Sequence, residues 1–140
     1  MSDLNALIAR YYTAFNERRF GDAADLFSAD AELQHRPGVT MRGPEGYMTS
    51  ARLTTTSFPD LKLEVLRIAR QGDTIFEMDL IAKGTHAGDW TAEGVGTVKA
   101  SGQPKTIRVR ETLEIRAGKI TFSSLNYNLQ DLFGASGAPQ

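Results

Sequence analysis

The sequence contains no cysteine, which excludes disulfide bonds, thiolate nucleophiles and cysteine-ligated zinc. Its two histidines lie far apart and belong to no HExxH or carboxylate-triad pattern, so no metal site is predicted. A phosphate-binding glycine loop and a G-x-S-x-G nucleophile elbow are also missing. We therefore expect neither a metal nor an organic cofactor.

Long apolar runs and clustered positive charge are missing too. No run approaches the roughly 20 apolar residues of a membrane span. The segment Met1–Asn5 lacks the basic and apolar regions of a signal peptide. With a net charge of −1 and scattered Lys and Arg, the chain offers no basic stripe for phosphates. We expect a cytoplasmic protein that binds neither membranes nor nucleic acid.

What is present suits one soluble globular domain. A length of 140 residues fits a single domain, residues 1–140, because domains typically run to roughly 100–200 residues. The small, polar segment 134–140 is predicted to be a flexible tail. The apolar fraction of 41% is sufficient for a core with a cavity.

The first part of the chain has helical periodicity. A helix is predicted over residues 3–17, a short second helix from Gly21, and a third over residues 43–56. Between the second and third helices, residues 31–36 alternate as in a strand, which Pro37-Gly38 ends.

The second part changes to a period of two, which predicts strands. Helices followed by consecutive strands indicate an α+β fold with a mainly antiparallel sheet. The predicted strands are 61–65, 76–83, 90–99, 107–115 and 120–128.

Glu111 breaks the strand pattern most clearly, because it occupies the inward phase between Val109 and Leu113. Burial of an ionised carboxylate is costly, and a protein responds by raising its pKa or by pairing it. A raised carboxyl pKa suits general acid–base catalysis near neutral pH. The alternatives are a structural Glu111 paired with a cation, or a register in which it points outwards.

Two further residues are candidates for the same site. His35 shares a face with Leu33 before a turn, and a neutral imidazole exchanges protons near pH 7. Tyr11 lies on the buried stripe of the first helix, where its phenol would polarise a substrate carbonyl. Structural packing is the alternative for both residues.

Other residues are candidates for ligand contact. Three aromatic residues would form cavity walls or belong to the core, one histidine among glycines would line the pocket or cap a turn, and two asparagines of the last strand would hydrogen-bond a ligand. These residues are Phe15, Tyr47, Trp90, His86, Asn126 and Asn128.

Several short segments, in this order, resemble those of SnoaL-like polyketide cyclases of the nuclear transport factor 2-like superfamily, which also contains the ketosteroid isomerases. The segments are 28–32, 58–60, 84–88 and 117–120, and the resemblance extends over residues 4–133. It implies a cone-like α+β barrel, with three N-terminal helices on a curved sheet that encloses an apolar pocket. It also implies a homodimer formed through the open sheet face.

The resemblance also implies functional roles. The acid–base aspartate of the cyclases falls on Glu111, the tyrosine of the isomerases on Tyr11, and the base of the isomerases on His35. The implied activity is aldol ring closure or isomerisation of a small, largely apolar carbonyl compound such as a polyketide. Residues 122–128 lack the Glu-His-Trp motif of many cyclases. A non-catalytic domain that binds a small ligand or a partner, and a hydroxylase-type relative, remain alternatives.

Overall fold

The computed structural model describes residues 4–92 and 96–128, in which helices precede most of the strands. This arrangement confirms the α+β class. The helices are α1 (Leu4–Asn16), α2 (Phe20–Ala24) and α3 (Gly43–Ser57). The strands are β1 (Phe27–Arg36), β2 (Val39–Arg42), β3 (Lys62–Gln71), β4 (Ile75–Thr85), β5 (Trp90–Ala92), β6 (Gly96–Val98), β7 (Pro104–Arg116) and β8 (Lys119–Tyr127).

Six strands form the main sheet in the order β2-β1-β8-β7-β4-β3. The β1–β8 pair is parallel and the other pairs are antiparallel. The sheet is not closed, because β2 and β3 are its two edges, so the expected barrel is an open curved sheet. β2 has only four residues, and the chain passes directly from it into α3.

The segment 90–99 is not the single strand that its composition predicts. β5 and β6 instead form a short antiparallel hairpin in which Trp90 pairs with Val98. Gly96, the first residue of β6, has a φ of 113°, a conformation that residues other than glycine rarely adopt and that interrupts a regular strand. Three other strands are longer than predicted or absent from the prediction: β1 begins at Phe27 instead of residue 31, β2 was not predicted, and β3 continues to Gln71 without clear alternation.

A β-bulge in β1 changes which side chains face inwards. Leu33 pairs with Met41, whereas Arg36 pairs with Val39, so the register shifts by one residue between these pairs. A bulge of this kind re-aims side chains next to it. As a result the consecutive residues His35 and Arg36 are both buried, although a regular strand would bury only one of them.

The core lies between the helices and the concave face of the sheet. The apolar stripe of α1 packs over the inward residues of β4 and β7, and Glu111 lies among them with 2% of its surface exposed. No helix in the described part of the chain has the length and apolar character that a membrane crossing requires. The core residues nearest to Glu111 in sequence or pairing are Met78, Leu80, Leu113 and Ile115.

Candidate active site

A cavity of about 120 Å³ lies between the helices and the concave sheet face. Its wall is mainly aliphatic and aromatic, and it combines residues of α1, α3 and several strands. Burial in such a wall excludes water and strengthens electrostatic interactions. Of the predicted site residues, those that line the cavity are Tyr11, Phe15, His35, Tyr47, Trp90 and Glu111.

The carboxyl group of Glu111 accepts three hydrogen bonds from neutral donors. The Tyr11 hydroxyl donates to Oε2 at 2.7 Å, and the Tyr12 hydroxyl donates to Oε1 at 2.7 Å. Ser123 donates from Oγ to Oε2 at 2.6 Å. Both carboxyl oxygens are therefore held in place by groups from α1 and β8.

Burial and hydrogen bonding act on Glu111 in opposite directions. Burial raises the pKa of the carboxyl group, and the bonds from Ser123, Tyr12 and Tyr11 lower it by stabilising the anion, but the pKa remains above its ordinary value. Burial, together with the nearby carboxylate, also raises the pKa of both tyrosines well above the usual range. The two phenols therefore stay protonated and act as hydrogen-bond donors.

A chain of hydrogen bonds connects Glu111 to His35. His35 Nε2 lies 2.7 Å from Ser123 Oγ, and His35 Nδ1 lies 2.7 Å from Ser50 Oγ. Because Ser123 donates its only hydrogen to Glu111, it must accept from a protonated Nε2. Nδ1 then accepts from Ser50, so one direction of donation runs from Ser50 through His35 and Ser123 to Glu111.

His35 is neutral in this arrangement. Burial, and secondly the positive charge of Arg36, lower its pKa to about 4. The imidazole is 7% exposed, and each ring nitrogen already has a serine partner. His35 therefore contacts Glu111 only through Ser123.

Arg36 is a second charged group in the cavity wall. Its Nη1 donates to the Thr91 carbonyl oxygen at 2.6 Å, and its guanidinium carbon lies 5.1 Å from the centroid of the Trp90 ring. The side chain is 7% exposed, and burial lowers its pKa. Tyr127 lies nearby in the same wall, with its hydroxyl donating to the His35 carbonyl oxygen at 2.9 Å.

His86 lies outside the cavity lining, contrary to the prediction of ligand contact. Its ring stacks on Phe58 with centroids 5.2 Å apart, and its backbone N–H donates to Gln103. His86 is the first residue after β4, and only 1% of its surface is exposed. The turn-capping alternative describes this position better.

Asn126 and Asn128 do not line the cavity either, because both side chains are exposed. The pairing of Glu111 with Leu125 fixes the register of β8, so the odd-numbered residues from Ser123 face inwards. Leu125 and Tyr127 already favour the odd phase as the inward one, so the two asparagines fall on the outward phase of the sequence as well.

Four polar residues of the site were not singled out by the sequence. Tyr12 follows Ile8 by four residues, which is a helical signal that it shares the buried side. Ser123 lies two residues before Leu125, and this spacing indicates that both face the same side of the strand. Nothing in the sequence distinguishes Ser50, because α3 contains several other small polar residues. Arg36 could not be found from periodicity, since only the bulge turns it inwards.

Within residues 4–92 and 96–128, no three His, Asp or Glu side chains are grouped closely enough to hold a metal ion. The site chemistry on the described residues is thus that of one carboxyl group, four phenols, one imidazole and one guanidinium around an apolar space. Such a set can hold a proton, transfer it, and stabilise negative charge on a ligand oxygen.

Several solved structures have a similar fold. IdmH of Streptomyces antibioticus, a proposed polyketide cyclase, is 24% identical with a TM-score of 0.73, covering 94% of this chain and 99% of that one. AclR of Streptomyces galilaeus, a proposed hydroxylase, is 21% identical with a TM-score of 0.73, covering 92% and 91%. A protein of Catenulispora acidiphila with a ketosteroid isomerase-like fold is 19% identical with a TM-score of 0.75, covering 95% and 93%. At these identities the likeness establishes the fold.

Sequence comparison defines the family. No curated protein gives a significant match to the sequence. The SnoaL-like domain family matches residues 8–123, which is most of the chain and includes every residue of the hydrogen-bond chain around Glu111. The open α+β sheet, with its helices over one face, is that of the ketosteroid isomerase-like structures. The chain therefore belongs to the SnoaL-like domain family.

Proposed function

We propose that this protein is a general acid–base catalyst that acts on a small, largely apolar carbonyl compound, with Glu111 as the proton-transfer group. The observation that supports the proposal is a carboxyl group with a raised pKa in the wall of an apolar cavity. Among the described residues that line this cavity, Glu111 is the only acid. A carboxyl group in such surroundings is a stronger base than one in water.

The reaction begins at a carbon next to the carbonyl group of the substrate. Ionised Glu111 removes a proton from this carbon, and the electrons of the broken C–H bond form an enolate. Burial makes the carboxylate more basic, while the apolar wall holds the carbon skeleton of the substrate.

Tyr11 links the two stages of this reaction. Its hydroxyl has one hydrogen, which it donates to Glu111 in the resting site. Once Glu111 has taken up the proton, its neutral carboxyl group is a weaker acceptor. The Tyr11 hydroxyl then becomes available to donate to the enolate oxygen, where negative charge has developed.

His35 is proposed as a positioning residue. Both ring nitrogens are occupied by serines, and a pKa of about 4 makes the imidazole a weak base. Its Nε2–H orients Ser123, which in turn donates to Glu111. This arrangement favours action through Ser123 over the role of base that the family resemblance implies.

Two outcomes follow from the same enolate. In aldol ring closure, its carbon attacks a second carbonyl group of the same molecule, and the resulting alkoxide takes up a proton. In a double-bond shift, the proton returns to a different carbon. The cyclase name of IdmH favours ring closure of a polyketide.

A non-catalytic binding domain is the second candidate. The observation in its favour is that three donors already satisfy Glu111, as expected for a structural carboxyl group. The likeness to AclR keeps a hydroxylase-type activity as a further alternative. Enolate formation distinguishes these alternatives, because only the acid–base catalyst requires it.

The test is hydrogen–deuterium exchange at the α-carbons of 2-tetralone in D₂O, followed by proton NMR. The wild-type protein should accelerate exchange above the buffer rate, and Glu111→Gln should lower the protein-dependent rate by about 10²-fold or more. Glu114→Gln is the matched control, because Glu114 lies on the same strand and pairs with Arg116 at the surface. This control should exchange at the wild-type rate.

Exchange at the buffer rate with wild-type protein would favour the binding domain, as would full activity in a folded Glu111→Gln variant. Circular dichroism and thermal unfolding of each variant separate loss of catalysis from loss of structure. The amide introduced by Glu111→Gln can still accept from Tyr11 and Ser123, so this substitution should preserve the fold.

A further inference from the structure

Arg36 is a charged group that the proposed proton transfer does not use. Its side chain is 7% exposed, and it lines the same apolar cavity as Glu111. The β1 bulge turns it inwards beside His35, where a regular strand would direct it to the opposite face. The fold thus places a permanently charged group in a wall that is otherwise suited to apolar ligands.

The guanidinium has little compensation from the protein. It has five N–H donors, and its hydrogen bond within the described residues is the one from Nη1 to Thr91. The face of Trp90 offsets part of the charge. No carboxylate in residues 4–92 or 96–128 forms an ion pair with Arg36. A buried cation in this position therefore retains unused capacity for an anion.

Arg36 and Glu111 have different hydrogen-bond partners, since Arg36 donates to Thr91 whereas Glu111 accepts from Tyr11, Tyr12 and Ser123. Arg36 lowers the pKa of His35, whereas the pKa of Glu111 is set by burial and by Ser123, Tyr12 and Tyr11. Arg36 also borders a surface depression next to Pro37, so it lies where the cavity approaches the outside. An anionic group held there would leave the rest of the ligand to extend towards Glu111.

We propose that Arg36 binds a carboxylate of the ligand, so that the substrates of this site are small carbonyl compounds that also carry a carboxylic acid. The carbonyl group of the ligand is inferred from the proposed function, whereas its carboxylate is inferred from Arg36 alone. A planar guanidinium matches a carboxylate with two parallel hydrogen bonds. One guanidinium balances a single negative charge, whereas a phosphate dianion in the same apolar wall would remain half-neutralised.

The test compares a carboxylate with a neutral compound of the same shape. Binding of 3-phenylpropanoate and of 3-phenylpropanamide to the full chain is measured by isothermal titration calorimetry. Wild-type protein should bind the acid about tenfold more tightly than the amide or better. Arg36→Met should abolish this preference and leave amide affinity nearly unchanged. Arg108→Met is the matched control, because it removes an exposed charge from β7 and should retain the preference.

Arg36→Lys is the second variant, for the case that Arg36→Met does not fold. Lysine retains the positive charge but cannot form two parallel hydrogen bonds with a carboxylate. This variant should show a smaller preference for the acid than the wild type. Equal affinity of the wild type for both compounds, no binding of the acid, or an unchanged preference in Arg36→Met would each overturn the proposal. Glu111→Gln should keep the preference, so a failure of proton transfer is distinguishable from a failure of carboxylate binding.

Discussion

At the scale of single residues, burial favours the neutral forms of both Glu111 and His35, the acid and the imidazole of the site. Burial raises the pKa of Glu111 above 4.5 and lowers that of His35 from 6.5 to about 4. Their effects on folding have opposite signs. Glu111 contributes to the unfolding free energy at low pH, and this contribution is lost as pH rises from about 4.5 through the folded pKa. His35 contributes above pH 6.5, and its contribution is lost as pH falls towards 4.

The His35 contribution gives a pH-dependent prediction. Protonation of the buried imidazole should cost the wild-type protein about 3 kcal/mol of unfolding free energy between pH 6.5 and 4. His35→Gln should lower stability at pH 7 because it disturbs the serine contacts, but the acid-dependent loss should be much smaller. Urea unfolding at a series of pH values measures both quantities.

Glu111→Gln is the companion variant in the same series. It removes the contribution of Glu111, which stabilises the fold at low pH, so the protein should lose unfolding free energy more steeply on acidification. Parallel pH profiles for the wild type and His35→Gln would contradict the assignment of a neutral, buried His35. The residual histidine effect in His35→Gln would come from His86, whose pKa burial also lowers.

Strand and helix phase were sufficient to single out Glu111, His35 and Tyr11, and all three line the cavity. Phase could not show that Ser123 joins the first two, because that requires the pairing of β7 with β8. The inward position of Arg36 was unpredictable for a different reason, since one extra residue in β1 reverses the alternation there. The sequence thus predicts which groups are present, while strand pairing determines how they connect.

At the scale of elements, the end of α3 is tied closely to the connection between β4 and β5. The backbone N–H groups of Ala87 and Gly88 both donate to the Ser57 carbonyl oxygen, and Ser57 Oγ donates to the Asp89 carbonyl. This connection leads directly into Trp90, which supports Arg36. The packing of a helix end therefore affects the position of a cavity residue.

Gly88 is the point of closest approach in this connection. A Cβ at this position would lie 2.1 Å from the Thr56 carbonyl oxygen, so the backbone would have to move. Gly88→Ala should lower the unfolding free energy by about 1–3 kcal/mol, measured by chemical denaturation. Gly21→Ala is the control, because its Cβ would meet nothing within 4 Å and should be neutral or stabilising. Equal stability of both variants would contradict the close packing.

Long periodic elements were predicted better than short ones. α1 lies within one residue of its predicted bounds, and β7 contains the whole predicted strand 107–115. The β5–β6 hairpin was mistaken for one strand because its two arms have only three residues each, too few to establish a period. Buried and exposed residues do not alternate clearly along β3, because it is an edge strand and most of its residues are exposed.

At the scale of the whole molecule, the outer face of the sheet is charged. Asp79 lies between Arg67 and Arg110, each at 3.0 Å, and Arg108 is exposed beside them. The family resemblance predicts a homodimer through this open face, and the homodimer stays a prediction. A polar interface of this kind would be sensitive to the sign of its charges.

Sedimentation equilibrium tests the dimer. We expect a mass near twice the 15.3 kDa of the chain for the wild type. Arg110→Glu should shift the equilibrium towards monomer, because it places a second negative charge beside Asp79. Arg52→Glu, which changes an exposed charge of α3, should not. A monomeric wild type, or a dimer that Arg110→Glu leaves intact, would contradict an interface on this face.

The overall class and the order of the helices and long strands followed from the sequence, because helical and alternating segments are clearly separated along it. The family resemblance added the curved sheet over a cavity, but it suggested a barrel where the sheet is open. Closure depends on whether the two edge strands meet, which no local pattern records. The predicted single domain stays a prediction, and the predicted tail at 134–140 lies outside the described residues.

The position of β8 determines when the site can form during synthesis. β8 joins the early strand β1 to the later strands β7, β4 and β3, and it carries Ser123. A growing chain that has made β7 but not β8 has both Glu111 and His35, yet it has nothing to connect them. Its inner surface would remain exposed while the ribosome completes the strand, a state in which chains are prone to aggregate. Glu111 and His35 are thus connected only once β8 has been made and has paired with both β1 and β7.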